Sequence, residues 1–433
     1  MTVPIAAPGH PLTRVDGTLA VGGVPLDRAL AALRTLEPVA RAAYVYDLDA
    51  IVARATRLRD AFAAIGAGAA YAVKANALPA LLEPLATLGL GGEAGSLGEL
   101  ASVHAAGFPA ERRWLNGNGR TPEECEWVAS QGVAAVHADH VAELDLLERV
   151  AGEHDTRVRV ALRVNPGIDA PVHRYIATGD DEAKFGVSPA DALEAWAARA
   201  RWPHLTVDGL HLHVGSQLMD PAPLLAGLEL GLELAAESAR RGAPLGLFNL
   251  GGGFGVDYDG AGHEFPLEDY ARRLGERAAG RGLGFVVEPG RWVVASAGVL
   301  VAEVLWVKPR DGRRFVVLAA GMNDLIRPAL YHARHRIVPV RPRSGDAQPA
   351  TVVGPVCESA DVFASEALLP PLEPGDLVAI LDAGAYGSAM ASNYNGRGRL
   401  AELVVSGGRL ARARAGETPR ERAGRRTRDP LPI

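Results

Sequence analysis

The sequence predicts an α/β fold: a parallel (β/α)8 barrel joined to an antiparallel β-rich domain. Two changes of texture predict it. From Tyr44 to Arg291, short β-branched runs alternate with longer Ala/Leu/Glu/Arg stretches of helical period, the pattern of parallel βα units. After Trp292 the chain turns to closely spaced Val and Leu runs divided by Gly, Pro and Asp turns, which reads as an antiparallel sheet. At 433 residues it also exceeds one usual core, so a second domain is expected from length alone.

In chain order, Thr18–Val24 is strand-like and is expected to join the sheet of the second domain. That domain is then discontinuous, residues 1–40 and 297–433 around a barrel of 41–296. Barrel strands are expected to end near Lys74, Glu93, Asn116, His137, Asn165, His213, Asn249 and Glu288. Helical stretches such as Pro79–Leu88, Pro122–Gln131, Pro221–Arg241 and Leu267–Arg281 lie between them. Eight strands suit a closed barrel, whose chemistry gathers at the C-terminal strand ends. Here those ends carry lysine, histidine, asparagine, glycine and glutamate instead of further aliphatics. In the second domain, strands are expected at Gly298–Val307, Phe315–Ala319, Thr351–Val353 and Leu377–Leu381.

Composition excludes several classes. Although 48% of residues are apolar, no apolar run reaches the roughly 20 residues of a membrane-spanning helix. Met1–Leu12 lacks a basic segment followed by an apolar core, so a soluble, cytoplasmic protein with no membrane partner is expected. Cys125 and Cys357 form neither a disulfide framework nor a metal-ligand spacing, and reduced thiols are expected. A net charge of -6 offers no footprint for nucleic acid, and the basic stretch Arg409–Arg428 reads as a solvated tail.

Several constellations carry chemistry. Tyr71-Ala72-Val73-Lys74-Ala75-Asn76 ends an apolar strand on a lysine, where burial would favour the neutral amine that condenses with an aldehyde. A snorkelling surface lysine gives the same pattern. Leu250-Gly251-Gly252-Gly253-Phe254-Gly255 follows the seventh strand, where barrels commonly bind phosphate and where glycines let backbone N–H groups approach it; a tight turn is the alternative. Glu288-Pro289-Gly290-Arg291 follows the eighth strand and sets a carboxylate in the barrel mouth, suited either to a salt bridge or to holding a pyridine nitrogen protonated. His211-Leu212-His213-Val214-Gly215-Ser216-Gln217 puts two histidines on one strand face. No companion Cys/His cluster accompanies them, so no metal is expected, and His213 suits stacking on an aromatic cofactor. In the second domain, Cys357 and Glu358 join a thiol to a carboxylate, though a free cysteine is commonly a buried small hydrophobe. Asp382-Ala383-Gly384-Ala385-Tyr386-Gly387 also reads as a turn with a core tyrosine.

Together and in this order, these motifs resemble the pyridoxal 5'-phosphate (PLP) decarboxylases of the alanine-racemase-like fold, PLP fold type III, and most closely the diaminopimelate decarboxylases. The resemblance runs from Tyr44 to Arg414. Its most specific stretches are Val164-Asn165-Pro166-Gly167 through Lys184-Phe185-Gly186, and Gly321-Met322-Asn323-Asp324-Leu325-Ile326-Arg327-Pro328-Ala329-Leu330-Tyr331. It implies that Lys74 forms the Schiff base with PLP, that His213 stacks on the ring and that Glu288 pairs with the ring nitrogen. Ser216, Gly252, Gly253 and the Gly290-Arg291 backbone would hold the phosphate, with Tyr386 closing over the cofactor. Arg291, Arg327, Tyr331 and Tyr386 would contact an amino-acid substrate, the first three at its distal carboxylate, and Glu358 would contact its distal amine. Because the family places Cys357 and Glu358 in the partner subunit's site, a homodimer with shared active sites is implied. Cys357 would return a proton after decarboxylation, Lys74 being the other candidate.

The chain departs from the family pattern in three places. Glu93 stands where Asp is usual, Asn116-Gly117-Asn118-Gly119-Arg120 replaces His-Gly-Asn-Asn-Lys, and Ala360 follows Cys-Glu-Ser where Gly is frequent. The resemblance implies decarboxylation of meso-diaminopimelate to L-lysine. Alternatives are a same-fold decarboxylase of ornithine, lysine, arginine, carboxynorspermidine or a carrier-bound glutamyl group, and a catalytically silent regulatory homologue. Arg327 and Tyr331 disfavour simple diamine precursors, which lack a distal carboxylate; Lys74 disfavours the silent homologue.

Overall fold

The computed structural model describes residues 11–165, 167, 185–310, 313–418 and 420–421. Pro166, Lys184 and positions 422–428 of the arginine-rich end lie outside these. The chain divides into two compact units: Met1–Ala50, Tyr258–Gly262 and Val294–Ile433 form one, and Ile51–Asp257 with His263–Val293 form the other.

The chain opens with β1 (Leu12–Val15), β2 (Thr18–Val21), β3 (Val24–Pro25), α1 (Leu26–Leu36), β4 (Ala42–Asp47) and α2 (Leu48–Ala63). There follow β5 (Gly68–Ala72), α3 (Pro79–Leu88), β6 (Gly91–Ala94), α4 (Leu97–Ala105), β7 (Arg113–Leu115), α5 (Pro122–Gln131), β8 (Ala135–Ala138) and α6 (Ala142–Glu153). Then come β9 (Val158–Arg163), α7 (Pro189–Ala197), β10 (Leu205–His211), α8 (Ala222–Arg240), β11 (Leu247–Asn249), α9 (Leu267–Ala278) and β12 (Gly284–Val287). Beyond α10 (Arg291–Val294) lie β13 (Gly298–Arg310), β14 (Arg313–Leu318), α11 (Arg327–Tyr331), β15 (Ile337–Pro339), β16 (Gln348–Val353), β17 (Val362–Leu369), β18 (Leu377–Ile380), β19 (Ala401–Ser406) and β20 (Arg409–Arg414). Among the described residues, no helix is long and apolar enough to cross a membrane.

Strands β5 to β12 close into a barrel with parallel neighbours throughout, β12 returning to β5 through Val286–Gly68 and Val287–Ala69. Their residues are largely buried, as a parallel strand covered on both faces requires; all four of β8 are. Local signals set the helices. A capping box joins Thr121 and Glu124 at the start of α5, with Pro122 in its first turn. α8 presses so closely on β11 that a Cβ on Gly231 would lie 2.0 Å from the Phe248 ring. This barrel carries each expected strand end to one rim.

In the other unit, a nine-stranded sheet runs β17-β16-β14-β13-β4-β19-β20, with β18 on β13 and β15 on β18. Most pairs are antiparallel, but β14–β16 and β19–β4 are parallel. α1 buries Leu26, Ala29, Leu30 and Leu33, spaced i, i+3, i+4, i+7, against Val45, Val299, Val301, Leu403 and Val405. Two expectations need correction. Thr18–Val24 does not enter the large sheet: β1, β2 and β3 form a three-stranded sheet of their own, linked onward by the Leu19 N–H donating to Val340 O at 2.8 Å. β4 hydrogen-bonds to β13 and β19, so residues 42–47 lie in this sheet and the barrel strands begin later than position 41. Its alternating aliphatic and tyrosine residues are buried on both faces, which in sequence is indistinguishable from a barrel strand.

Candidate active site

The rim of the barrel holds a buried polar network built from five strand ends. Glu288, just beyond β12, is 5% exposed. Its Oε1 accepts from Asn249 Nδ2 at 2.7 Å and its Oε2 from Asn116 Nδ2 at 3.2 Å. The same Asn116 amide donates to Glu93 Oε1 at 2.7 Å, and Lys74 Nζ lies 3.4 Å from Glu93 Oε2. One asparagine thus bridges two carboxylates, and the lysine meets Glu93. Burial, then the charge of Glu93, pushes the Glu288 carboxyl above the usual carboxylate range.

Two histidines lie under this pair. His137 and His211 stack at 4.3 Å between ring centres, and Trp114 stacks on His137 at 5.7 Å. Burial, then nearby positive charge, holds His137 down at about 3 and keeps His211 well below its ordinary value, so both are neutral. His211, His137 and Glu288 bring potential metal ligands within 4.8 Å of one another. This corrects the expectation that no companion group accompanies His211. The His137 nitrogens, however, face Asn116 Oδ1 at 2.5 Å and Asn249 Nδ2 at 3.2 Å, and the parallel stacking of the rings does not aim both at a common point.

His213 follows β10, beyond the strand proper. Its Nδ1 accepts from the Gly252 N–H at 3.2 Å, and burial followed by Lys74 keeps the ring neutral. Ser216 Oγ accepts from Arg291 Nη2 at 3.1 Å, giving that hydroxyl a partner the sequence did not suggest. The glycine run needs its glycines: Gly251 and Gly253 have φ of 65° and 101°. A Cβ on Gly252 would sit 2.3 Å from Glu288 O, and one on Gly253 2.2 Å from Gly215 O. Gly290 is equally tight, its Cβ position 2.7 Å from Ala72 O. Lys74 departs from expectation. It sits in a short 3-10 turn after β5, half exposed, with its Nζ beside the buried Glu93 carboxylate.

The β-rich unit positions a second group of residues. Arg327, at the start of α11, is 5% exposed. Its Nη1 meets His335 Nε2 at 2.7 Å, and its guanidinium lies 4.5 Å from the centre of the Tyr258 ring. His335 Nδ1 meets Leu381 O at 2.7 Å, an acceptor only. Nδ1 therefore carries the hydrogen and Nε2 presents a lone pair to Arg327. Tyr331, at the end of α11, is half-buried, as is Tyr386, which takes the left-handed conformation with φ 57°. Cys357 is exposed, contrary to the buried-hydrophobe reading, and its backbone N–H donates to Asn395 Oδ1 at 2.9 Å; Glu358 is exposed beside it. Asp361 anchors this turn. Buried at 3% exposure, it accepts from the N–H groups of Val356 at 2.7 Å and Met322 at 2.6 Å, tying the Cys357 turn to the segment leading to Arg327.

Sequence reasoning singled out Lys74, His213, Ser216, Gly252, Gly253, Glu288, Gly290 and Arg291, which the barrel gathers around one rim. It missed what Glu93, Asn116, His137 and Asn249 do, although it marked each as a strand end. His335, Asp361 and Tyr258 left no local signal beyond their nearness to motif residues. The rim suits a pyridoxal group: an amine for an aldehyde, a buried carboxylate with amide donors for a ring nitrogen, a neutral imidazole and a glycine turn.

Comparison with known proteins bears on the same residues. The family described as "Pyridoxal-dependent decarboxylase, pyridoxal binding domain" matches residues 48–295. Diaminopimelate decarboxylase of Pseudomonas aeruginosa is 41% identical over 94% of this chain and 96% of its own, and that of Zymomonas mobilis 38% identical over 93% and 94%. Among solved structures, diaminopimelate decarboxylase from Helicobacter pylori, complexed with L-lysine, superposes with a TM-score of 0.85 at 36% identity, covering 90% of this chain and 98% of that one. That from M. jannaschii in complex with L-lysine gives 0.88 at 31%, covering 97% and 98%. The chain therefore belongs to the pyridoxal-dependent decarboxylases, on the branch formed by the diaminopimelate decarboxylases.

Proposed function

We propose that the protein decarboxylates meso-diaminopimelate to L-lysine and carbon dioxide with PLP, acting in the cytoplasm as a homodimer with shared sites. The observation that carries the cofactor half is the rim network, in which Glu288, two amide donors and Lys74 share one connected set of hydrogen bonds. When bound, PLP supplies an aldehyde for an amine and a ring that accepts the electron pair left as a carboxylate departs.

The remaining chemistry belongs to the residues. Lys74 would provide the amine, its Nζ held beside Glu93. Glu288 would face the ring nitrogen, and a carboxyl raised above its usual range can hold or release a proton there near neutral pH. His213, kept neutral, offers a flat face without competing charge. Ser216, the glycines 252, 253 and 290, and the Arg291 backbone would hold the phosphate. On the substrate side, Arg327 is a buried guanidinium held by His335 and suited to a distal carboxylate, the role that the family resemblance also gives Tyr331 and Arg291. Glu358 would meet the distal amine and Tyr386 would close over the bound groups. The exposed Cys357 thiol is the proposed source of the returning proton at Sγ, supplied to the partner's site.

The test is carbon dioxide release from purified protein with PLP and, separately, meso-diaminopimelate, ornithine, lysine or arginine. Release from meso-diaminopimelate with formation of L-lysine is expected. Release from ornithine or lysine, with none from meso-diaminopimelate, would overturn the substrate assignment.

A further inference from the structure

We infer that His137 is a positioning residue for the cofactor carboxylate: its ring passes the hydrogen-bond direction of a backbone amide across the barrel to Asn116, and holds the oxygen of Asn116 so that its NH2 group stays on Glu93 and Glu288. This rests on the proposed pairing of Glu288 with the PLP ring.

The direction can be followed bond by bond. The Gly251 backbone N–H donates to Asn249 Oδ1 at 2.9 Å, and a backbone amide cannot reverse its polarity. Asn249 must then turn its NH2 toward Glu288 Oε1 at 2.7 Å and His137 Nε2 at 3.2 Å. Nε2 is accordingly the acceptor, which leaves the hydrogen on Nδ1, and Nδ1 lies 2.5 Å from Asn116 Oδ1. With its oxygen engaged, Asn116 can only offer NH2 to Glu93 at 2.7 Å and Glu288 at 3.2 Å. Were that amide to rotate by half a turn, a carbonyl oxygen would face two carboxylates. The two carboxylates select the NH2 end of the amide, and the donor at His137 Nδ1 holds its oxygen end, so the two sides of Asn116 fix it together.

His137 also has no room to respond otherwise. It is 1% exposed and stacked between Trp114 and His211, so its ring plane is fixed by packing while its tautomer is fixed by Asn249. A residue of the same shape without ring nitrogens should preserve the stacking and lose the relay.

The experiment compares His137→Phe and His137→Met with His137→Asn, whose amide can restore a donor near the Nδ1 position. PLP dissociation constants are measured on the full-length protein by titration of the bound-cofactor absorbance, alongside the far-ultraviolet spectrum and melting temperature. The apolar variants should bind PLP about tenfold or more weakly, the scale of one misdirected buried hydrogen bond. They should also shift the absorbance maximum of the bound cofactor, which a merely structural role would not do. His137→Asn should recover most of the affinity. Either apolar variant, folded as judged by its spectrum, suffices for the test. Wild-type PLP affinity and absorbance in that variant, while Glu288→Ala loses both, would overturn the relay. Wild-type affinity in Glu288→Ala would instead overturn the pairing of Glu288 with the ring.

Discussion

Replacing Arg327 with methionine tests the proposed substrate recognition apart from cofactor binding. Methionine replaces the aliphatic stem of arginine, so packing along α11 is largely kept, while the guanidinium is lost. Three consequences follow from its surroundings. The lone pair of His335 Nε2, buried and aimed at Arg327 Nη1, loses its donor, a loss of about 1–3 kcal/mol in stability. The contact with the Tyr258 ring at 4.5 Å goes as well, worth about 0.5–2 kcal/mol. On the proposed role, the distal carboxylate of the substrate would lose a charge-assisted partner worth about 1.5–3 kcal/mol. At about 1.4 kcal/mol per factor of ten, the last corresponds to a rise of roughly 10- to 150-fold in KM for meso-diaminopimelate. L-Lysine retains the distal carboxylate and should weaken as an inhibitor by the same factor, whereas cadaverine, which lacks it, should inhibit as before. PLP affinity should not change. The assay is carbon dioxide release with both competitors, and the melting temperature reports the stability loss separately. An unchanged KM, or equal losses for L-lysine and cadaverine, would refute the carboxylate role of Arg327.

Lys74→Ala should abolish turnover, and borohydride treatment should no longer fix the cofactor to the peptide containing position 74, as read by mass spectrometry; full activity would remove the central assignment. Cys357→Ala should lower kcat by about 100-fold or more, the range for a lost proton donor, while leaving the absorbance of the bound cofactor unaltered; a normal rate would move that role to Lys74. Asp324 provides a pH test in the β-rich unit: burial raises its carboxyl from 3.8 to about 7. A folded-state value above the unfolded one stabilises the fold fully below about 3.8 and loses that contribution as pH rises through about 7. Urea unfolding should therefore show stability falling over that window, by up to about 1.4 kcal/mol per pH unit from this one proton, and Asp324→Asn should flatten the fall. Equal slopes in both proteins would contradict it.

Much of this protein was legible in the order of its residues. Strand ends at Lys74, Glu93, Asn116, His137, Asn249 and Glu288 were readable because a parallel barrel confines polar residues to the rim, so a break in a short aliphatic run marks a functional position whatever follows. The helices Pro79–Leu88 and Pro122–Gln131 carry a proline in their first turn, and the glycine run after β11 declared itself by composition. β4 was misplaced because strands buried on both faces look alike in either unit. The exposure of Lys74 and Cys357 was also hidden, since burial depends on what the rest of the chain covers. Above all, a list of strand ends has no directions in it. That Asn116 joins Glu93 to Glu288, that His137 meets the oxygen of the same amide, and that His335 meets Arg327 are properties of side chains from distant strands and turns meeting at 2.5–3.2 Å. Periodicity and residue type determine which groups reach the rim; only closure of the barrel and the sheet decides which donor meets which acceptor, because hydrogen bonds depend on distance and angle between residues far apart in sequence.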